Sequence, residues 1–78
     1  MKIPRKPDVD SLKRSALAYL ERYAASRAML REVLIRRVRR WARLAGAEAE
    51  AVAAAMRAVD EAVAAAARAG LVDDARFA

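Results

Sequence analysis

The apolar residues of this chain recur every three to four positions over most of its length, which is the pattern of amphipathic helices. The segment 26–45 has this pattern most clearly. At about 100° per residue, its larger apolar side chains fall within roughly 80° of Leu30. They are Leu34, Val38, Trp41 and Leu44, joined by Ala45. With Ser26 as an N-cap and Gly46 as a stop, the pattern predicts a helix over about 27–45.

A second amphipathic stretch precedes this one, over about 11–25. One face of it carries Leu12, Ala16, Tyr19, Leu20 and Tyr23. Asp10 or Ser11 is the expected N-cap. The place of Tyr19 and Tyr23 on the apolar face favours core packing over the alternative, in which they stack against nucleic-acid bases.

A third stretch, over about 47–69, is dominated by alanine, the residue with the highest helix propensity. Its larger apolar residues form a stripe at helical spacing: Val52, Met56, Val59 and Val63. Gly70 is placed to end this helix in a Schellman motif, with Leu71 folding back on the last turn. Asp73 or Asp74 then provides an N-cap, so a fourth helix is expected to start at 74–78.

Together these elements predict an all-α fold, a small three-helix repeat or bundle over residues 11–78. Residues 1–10 are basic and contain Pro4 and Pro7, which disfavour helix at the residues before them. They are predicted to form a flexible N-terminal arm, which is either a solvated tail or an extra electrostatic contact to a polyanion. Since a fourth helix only begins before the sequence stops, we expect residues 11–78 to be a fragment of a longer tandem-repeat protein.

Composition limits the size of the core and the class of protein. Hydrophobic residues make up 58% of the chain, but 22 of these 45 residues are alanine. A core built from the remaining larger groups must be thin and closely packed. The chain has no cysteine, which fits a cytoplasmic protein. No apolar run approaches the roughly 18 residues of a membrane-spanning helix, so no membrane partner is expected.

The charge is distributed unevenly along the chain. Residues 1–43 carry 13 basic and 4 acidic groups, a net charge of +9, whereas residues 44–78 carry 3 and 6, a net charge of −3. This asymmetry favours an anionic partner for the first half. On the predicted helix 27–45, four arginines occupy an arc of roughly 100° opposite the apolar stripe. These residues, here called the arginine ridge, are Arg36, Arg39, Arg40 and Arg43.

Three explanations of this surface are compatible with the sequence. The arginine ridge could contact phosphates, with affinity and salt dependence but little reading of base sequence. It could instead be a solvated face that keeps an alanine-rich protein soluble, slightly diluted by an ion pair between Glu32 and Arg36. The helices could also self-associate to bury their thin core. Specific duplex reading is disfavoured, because the chain has no Asn or Gln to pair with adenine.

Histidine and cysteine, two residues common in catalytic and metal sites, are missing. Without histidine or cysteine, the usual zinc sites and Cys/His nucleophile pairs are excluded. Gly46 and Gly70 alone cannot form a glycine-rich phosphate loop. The adjacent carboxylates of Asp73 and Asp74 are better explained by helix capping than by metal binding or acid–base catalysis. We therefore expect no enzyme, catalytic residue, metal site, cofactor or small-molecule substrate.

Three short segments carry a resemblance to a known family. They are Ala16-Leu17-Ala18-Tyr19-Leu20, Ser26-Arg27-Ala28-Met29-Leu30-Arg31 and Ala69-Gly70-Leu71-Val72-Asp73-Asp74-Ala75-Arg76-Phe77-Ala78. With these segments the chain resembles the RecX family, the regulators of the bacterial RecA recombinase. In that family they mark the start, middle and end of the first of several three-helix repeats. The arginine-rich segment 34–40 looks like the alphaproteobacterial version.

The resemblance implies a non-enzymatic protein that binds the RecA filament on single-stranded DNA. Such a protein inhibits recombination and ATP hydrolysis, and so modulates DNA repair and the SOS response. The implied partner is the RecA filament, with single-stranded DNA as a further candidate. The arginine ridge is the expected contact surface, whereas the motif residues are expected to be structural: Ser26, Leu30, Gly70, Leu71 and Asp74. The alternative function is a general nucleic-acid-binding helical module.

The chain departs from the RecX pattern in two respects. Met29 stands where family members commonly have an acidic or amide residue, so one half of a capping box with Ser26 is missing. Only the first repeat is present, whereas the family acts through tandem repeats lying in the groove of the filament. We therefore expect this chain to hold only part of the contact surface.

Overall fold

Three helices joined by short connections form the fold, as the computed structural model shows for residues 4–77. They are α1 (Val9–Arg22), α2 (Arg27–Ala45) and α3 (Ala49–Arg68). Residues 4–77 contain no strand. Helix α3 packs extensively against both α1 and α2, whereas α1 and α2 touch each other over a smaller area. The predicted all-α three-helix bundle is confirmed.

Helix α1 begins two residues earlier than predicted. Its N-cap is Asp8, whose carboxylate accepts a hydrogen bond from the Ser11 backbone N–H at 2.8 Å. The Ser11 hydroxyl in turn accepts one from the Asp8 N–H at 3.0 Å. This capping box satisfies two of the N–H groups that have no partner within the helix. The predicted caps were wrong, because Ser11 acts as the third helical residue and Asp10 lies in the first turn.

Helix α1 also ends three residues earlier than predicted, at Arg22. Tyr23 is already extended, with a φ of −137°. Ala25, within the predicted helix, is buried, and its carbonyl accepts a hydrogen bond from the Asp73 N–H at 2.9 Å. A tertiary contact therefore overrides the helix propensity of the alanines that follow the tyrosine.

Helix α2 has the predicted ends. The Ser26 hydroxyl caps it by accepting a hydrogen bond from the Met29 N–H at 3.1 Å. At the other end, Gly46 has a φ of +62°, and the N–H groups of Gly46 and Ala47 both reach the Ala42 carbonyl. Glycine adopts this left-handed conformation without the steric cost that a Cβ atom brings.

Helix α3 begins at Ala49, two residues later than predicted, and ends in the predicted Schellman motif. Gly70 has a φ of +72°. The Gly70 N–H donates to the Ala67 carbonyl, and the Leu71 N–H donates to the Ala66 carbonyl, each at 3.0 Å. This pair of bonds satisfies carbonyls that have no partner within the helix, and it turns the chain back along the bundle.

Helix α2 supplies the large side chains of the core, and α3 supplies small ones. The buried residues of α2 are Leu30, Leu34, Ile35, Val38 and Trp41; those of α3 are Ala55, Val59, Ala62, Val63 and Ala66; and α1 adds Leu12 and Ala16. Leu44 is half-buried and Ala45 exposed, because both lie in the last turn of α2. The alanines of α3 let its neighbours approach closely, as the thin core requires.

Residues 71–77 fold back against the start of α2 instead of continuing away from the bundle. The Asp73 carboxylate accepts a hydrogen bond from the Arg76 N–H at 3.0 Å, and the Phe77 N–H reaches the Asp74 carbonyl at 3.2 Å. Where a fourth helix was predicted to start at 74–78, residues 74–77 form a turn capped by Asp73. Ala78 lies outside the described residues.

Residues 4–8 precede α1 without forming helix, as the two prolines predict. The predicted arm differs from the structure in two respects. Val9 and Asp10 belong to α1, and Pro7 is buried. This short segment is therefore packed against the bundle at Pro7. Residues 1–3 of the predicted arm lie outside the described part of the chain.

Candidate functional site

The arginine ridge lies along the side of α2 that faces away from the core. All four of its arginines are exposed: Arg36, Arg39, Arg40 and Arg43. Leu34, Val38 and Trp41, on the opposite side of the same helix, are buried. Residues three and four apart are neighbours on a helix surface, so the four guanidinium groups form one continuous basic strip. The structure therefore brings the predicted site residues together.

The arginine ridge has no carboxylate partner within residues 4–77. Ion pairs in this part of the chain join Arg27 to Asp74 and Arg31 to Asp60, and neither includes a ridge residue. The Arg36 Nε donates to the backbone carbonyl of Glu32 at 3.4 Å. The spacing also allows an ion pair between Arg36 and the Glu32 carboxylate, but Arg36 makes this backbone contact instead. The ridge therefore keeps its full positive charge.

Arg31, the basic residue that precedes the arginine ridge on α2, forms an ion pair. The Arg31 Nε donates to the Asp60 carboxylate at 2.8 Å and so connects α2 to α3. This hydrogen bond is the main reason that the pKa of Arg31 is raised, and the charge of Asp60 adds to it. The basic surface open to a partner thus begins beyond Arg31, at the arginine ridge.

Asp74 caps α2 from the far end of the chain. Its carboxylate accepts a hydrogen bond from the Arg27 backbone N–H at 2.7 Å, and its second oxygen lies 3.2 Å from the Arg27 Nε. Together with Ser26, it satisfies N–H groups in the first turn of α2. The sequence predicted Asp73 or Asp74 as the N-cap of a fourth helix. The capping of α2 by Asp74 could not be foreseen, because the two partners are 47 residues apart.

Two further motif residues have structural roles, as expected. Leu30 is fully buried, and Gly70 holds the left-handed position after α3. Leu71 is 45% exposed and lies with Leu17 and Ala66 around a shallow apolar groove between α1 and α3. These residues shape the bundle and the return of the chain, and they leave the exposed face of α2 uncovered.

The two tyrosines differ in their burial. Tyr19 packs against the core as predicted, whereas Tyr23 is 54% exposed. Tyr23 follows the last residue of α1 in an extended conformation, so it leaves the apolar face of the helix. Its ring stacks at a tilt of 37° on Tyr19, with ring centroids 5.0 Å apart. The prediction of core packing was therefore wrong for Tyr23.

A cleft between the N-terminal segment and α2 was missed by the sequence analysis. Its volume is about 200 Å³, and its lining includes Arg5, Pro7, Ser11, Arg37, Arg40 and Trp41. Arg37 lies near the apolar stripe on a helical projection, and Arg5 was assigned to the flexible N-terminal arm, so neither joined the predicted site. The weak signal for Arg5 was its position between Pro4 and Pro7, which fix the local backbone.

Asp8, which follows the cleft-lining Pro7 in the sequence, is engaged in helix capping. Hydrogen bonding from the Ser11 backbone N–H is the largest cause of the lowered pKa of Asp8. The Ser11 side chain and the charges of Arg14 and Arg5 lower it further. Asp8 therefore stays ionised at neutral pH, but it forms no ion pair with Arg5 in the part of the chain that the structure describes.

The described residues give no indication of a metal site or a membrane span. Within 4–77, no group of three or more acidic side chains is arranged to hold a metal ion. None of the helices found there is both long enough and apolar enough to cross a bilayer. Comparison of the chain with protein-family models, curated proteins and solved structures found no match.

Proposed function

We propose that this chain is a non-enzymatic regulator that binds the RecA recombinase filament on single-stranded DNA. It inhibits the ATP hydrolysis and recombination activity of the filament, and so acts in the cytoplasm in DNA repair and SOS modulation. The exposed arginine ridge, unpaired within residues 4–77, is the observation that carries this proposal. A filament that contains DNA offers phosphate groups to such a surface.

The residues that carry the resemblance to RecX support the proposal in a second way. Ser26 caps α2, Gly70 ends α3, and Asp74 ties the returning chain to the start of α2. These are roles that a repeat unit needs in order to present one long basic helix on its surface. Their spacing in the sequence thus agrees with a unit organised around α2.

The test is DNA-dependent ATP hydrolysis by RecA with this chain titrated in. The first variant changes Arg36, Arg39, Arg40 and Arg43 together to Ala. The matched control changes four exposed arginines elsewhere: Arg14, Arg22, Arg57 and Arg68. Both variants lose the same net charge, and circular dichroism checks that both remain helical. Co-sedimentation with RecA filaments measures binding directly.

The proposal predicts that the native chain and the control variant inhibit ATP hydrolysis and sediment with filaments, whereas the ridge variant does neither. Equal inhibition by all three chains would remove the ridge from the contact surface. If the native chain neither inhibits hydrolysis nor sediments with filaments, the proposal is wrong for this chain.

The unpaired arginine ridge also favours a second candidate, a general nucleic-acid-binding module. Such a module binds single-stranded DNA tightly in the absence of a recombinase. If the four arginines neutralise four phosphates, the slope of log K against log salt is about −2.8. A slope of zero would exclude phosphate contacts. Filament binding without comparable binding to free DNA would favour the recombinase regulator.

A further inference from the structure

The cleft beside the arginine ridge gathers three arginines from two distant parts of the chain. Arg37 and Arg40 are one turn apart on α2, and Arg5 comes from the segment before α1. All three are exposed, whereas Pro7 and Trp41 in the same cleft are buried. The cleft therefore combines buried apolar residues with exposed, charged side chains.

No carboxylate of residues 4–77 forms an ion pair with any of these three arginines. Asp8 is close enough for the charge of Arg5 to help lower its pKa, but its carboxylate is engaged by the Ser11 N–H. Each guanidinium group carries one positive charge, so the cleft carries three. Bringing like charges together is unfavourable unless an anion lies between them. The planar guanidinium group donates paired hydrogen bonds that match the oxygen atoms of a phosphate group.

The fold holds Arg5 close to α2. Pro4 and Pro7 restrict the backbone on either side of it, and the capping box of Asp8 and Ser11 fixes the entry into α1. The volume of about 200 Å³ suits a small anion. Since one water molecule needs only about 10–15 Å³ of accessible volume, a tetrahedral oxyanion fits with room for water.

We propose that this cleft is a phosphate-binding site in which Arg5, Arg37 and Arg40 together hold one phosphate group. The group is either a free phosphate or one phosphodiester of a nucleic-acid backbone, since both offer the same oxygen atoms. Arg40 belongs to the arginine ridge as well, so a bound strand contacts the ridge and the cleft without interruption. The proposal does not depend on a recombinase, because phosphate alone tests it.

The experiment titrates inorganic phosphate into the native chain, with chloride adjusted to keep the ionic strength constant. Trp41 is the only tryptophan of the chain and lines the cleft, so its fluorescence reports binding there. The Nε–H signals of the arginines in ¹⁵N nuclear magnetic resonance spectra identify the side chains involved. A parallel titration uses a short single-stranded oligonucleotide.

The site is tested with Arg5→Ala and Arg37→Ala, neither of which belongs to the arginine ridge. Both should weaken phosphate binding by about tenfold or more, because each removes a charged, paired donor. Arg57→Ala on α3 is the matched control and should bind as the native chain does.

The outcomes separate this site from the proposed function. Saturable phosphate binding that depends on Arg5 and Arg37 supports the cleft, whether or not RecA is inhibited. Tight binding of the oligonucleotide with weak binding of phosphate, still dependent on Arg5, assigns the site to a nucleic-acid backbone. A response that does not saturate, or that falls equally in the Arg57→Ala variant, reflects general attraction of anions and overturns the proposal.

Discussion

Asp8 shows how one ionised side chain can fix where a helix begins. Its carboxylate accepts the Ser11 N–H at the positive end of α1, where a negative charge is favourable. The same hydrogen bond lowers the pKa of Asp8 from its ordinary value of 3.8. The start of α1, its capping and the negative charge beside it therefore all involve the same residue.

The lowered pKa of Asp8 makes the stability of the fold depend on pH in acid. Because the folded pKa lies below the unfolded one, Asp8 contributes its full stabilisation above pH 3.8 and loses it as the pH falls through the folded value. Asp8→Asn keeps a good N-cap without the charge. We expect the thermal midpoint of the native chain to fall more steeply below pH 3.8 than that of this variant. Circular dichroism melts above and below that pH measure it, and parallel curves would contradict the prediction.

The three helices differ in how far their sequences determine their ends. Both ends of α2 were predicted correctly, because Ser26 and Gly46 act on backbone groups within a few residues. The end of α1 was predicted wrongly, because the Ala25 carbonyl accepts a hydrogen bond from the Asp73 N–H, which is distant in the sequence. For the same reason the arginine ridge could be predicted from one helix, whereas the cleft that joins Arg5 to α2 could not.

The capping of α2 by Asp74 should be measurable at a single amide. Asp74→Ala leaves the Arg27 N–H without this acceptor, so its hydrogen exchange should accelerate, and the chain should lose about 1 kcal/mol of stability. Asp74→Asn should restore most of the stability and most of the exchange protection at Arg27, since asparagine caps helices well. The neighbouring Asp73→Ala removes a bond to Arg76 only and should leave exchange at Arg27 unchanged. Unchanged exchange in Asp74→Ala would show that the contact is not populated.

The alanine face of α3 gives a second prediction for a helix as a whole. Ala62 is 1% exposed and lies where α3 meets its neighbours. Ala62→Leu should destabilise the bundle by about 1–3 kcal/mol, because the larger side chain has no space. Ala54→Leu, on the exposed side of the same helix, should stay within about 0.5 kcal/mol. Since leucine and alanine have similar helix propensities, the difference in urea unfolding between the two variants measures the effect of packing. Equal losses of stability in both variants would contradict the prediction.

At the scale of the whole molecule, positive charge is concentrated along the arginine ridge, and the ion pairs found within residues 4–77 lie outside it. Asp60 and Asp74 pair with Arg31 and Arg27 near the start of α2. The arginine ridge that follows is left with its charge uncompensated within residues 4–77. Like charges three and four residues apart on a helix oppose folding. Solubility alone does not require positive charge to be concentrated in this way, since dispersed charges of both signs also keep a protein soluble.

The free chain should therefore become more stable when the ridge is removed. The four ridge arginines form four like-charged neighbour pairs, so changing them together to Ala should add roughly 1–2 kcal/mol at low ionic strength. The gain should shrink as added salt screens the repulsion. The control variant at Arg14, Arg22, Arg57 and Arg68 should gain nothing, because these arginines are not neighbours on a helix. Urea unfolding at low and high salt measures the difference. A ridge variant no more stable than the control would show that the ridge costs the fold nothing, and the argument for a binding surface would lose this support.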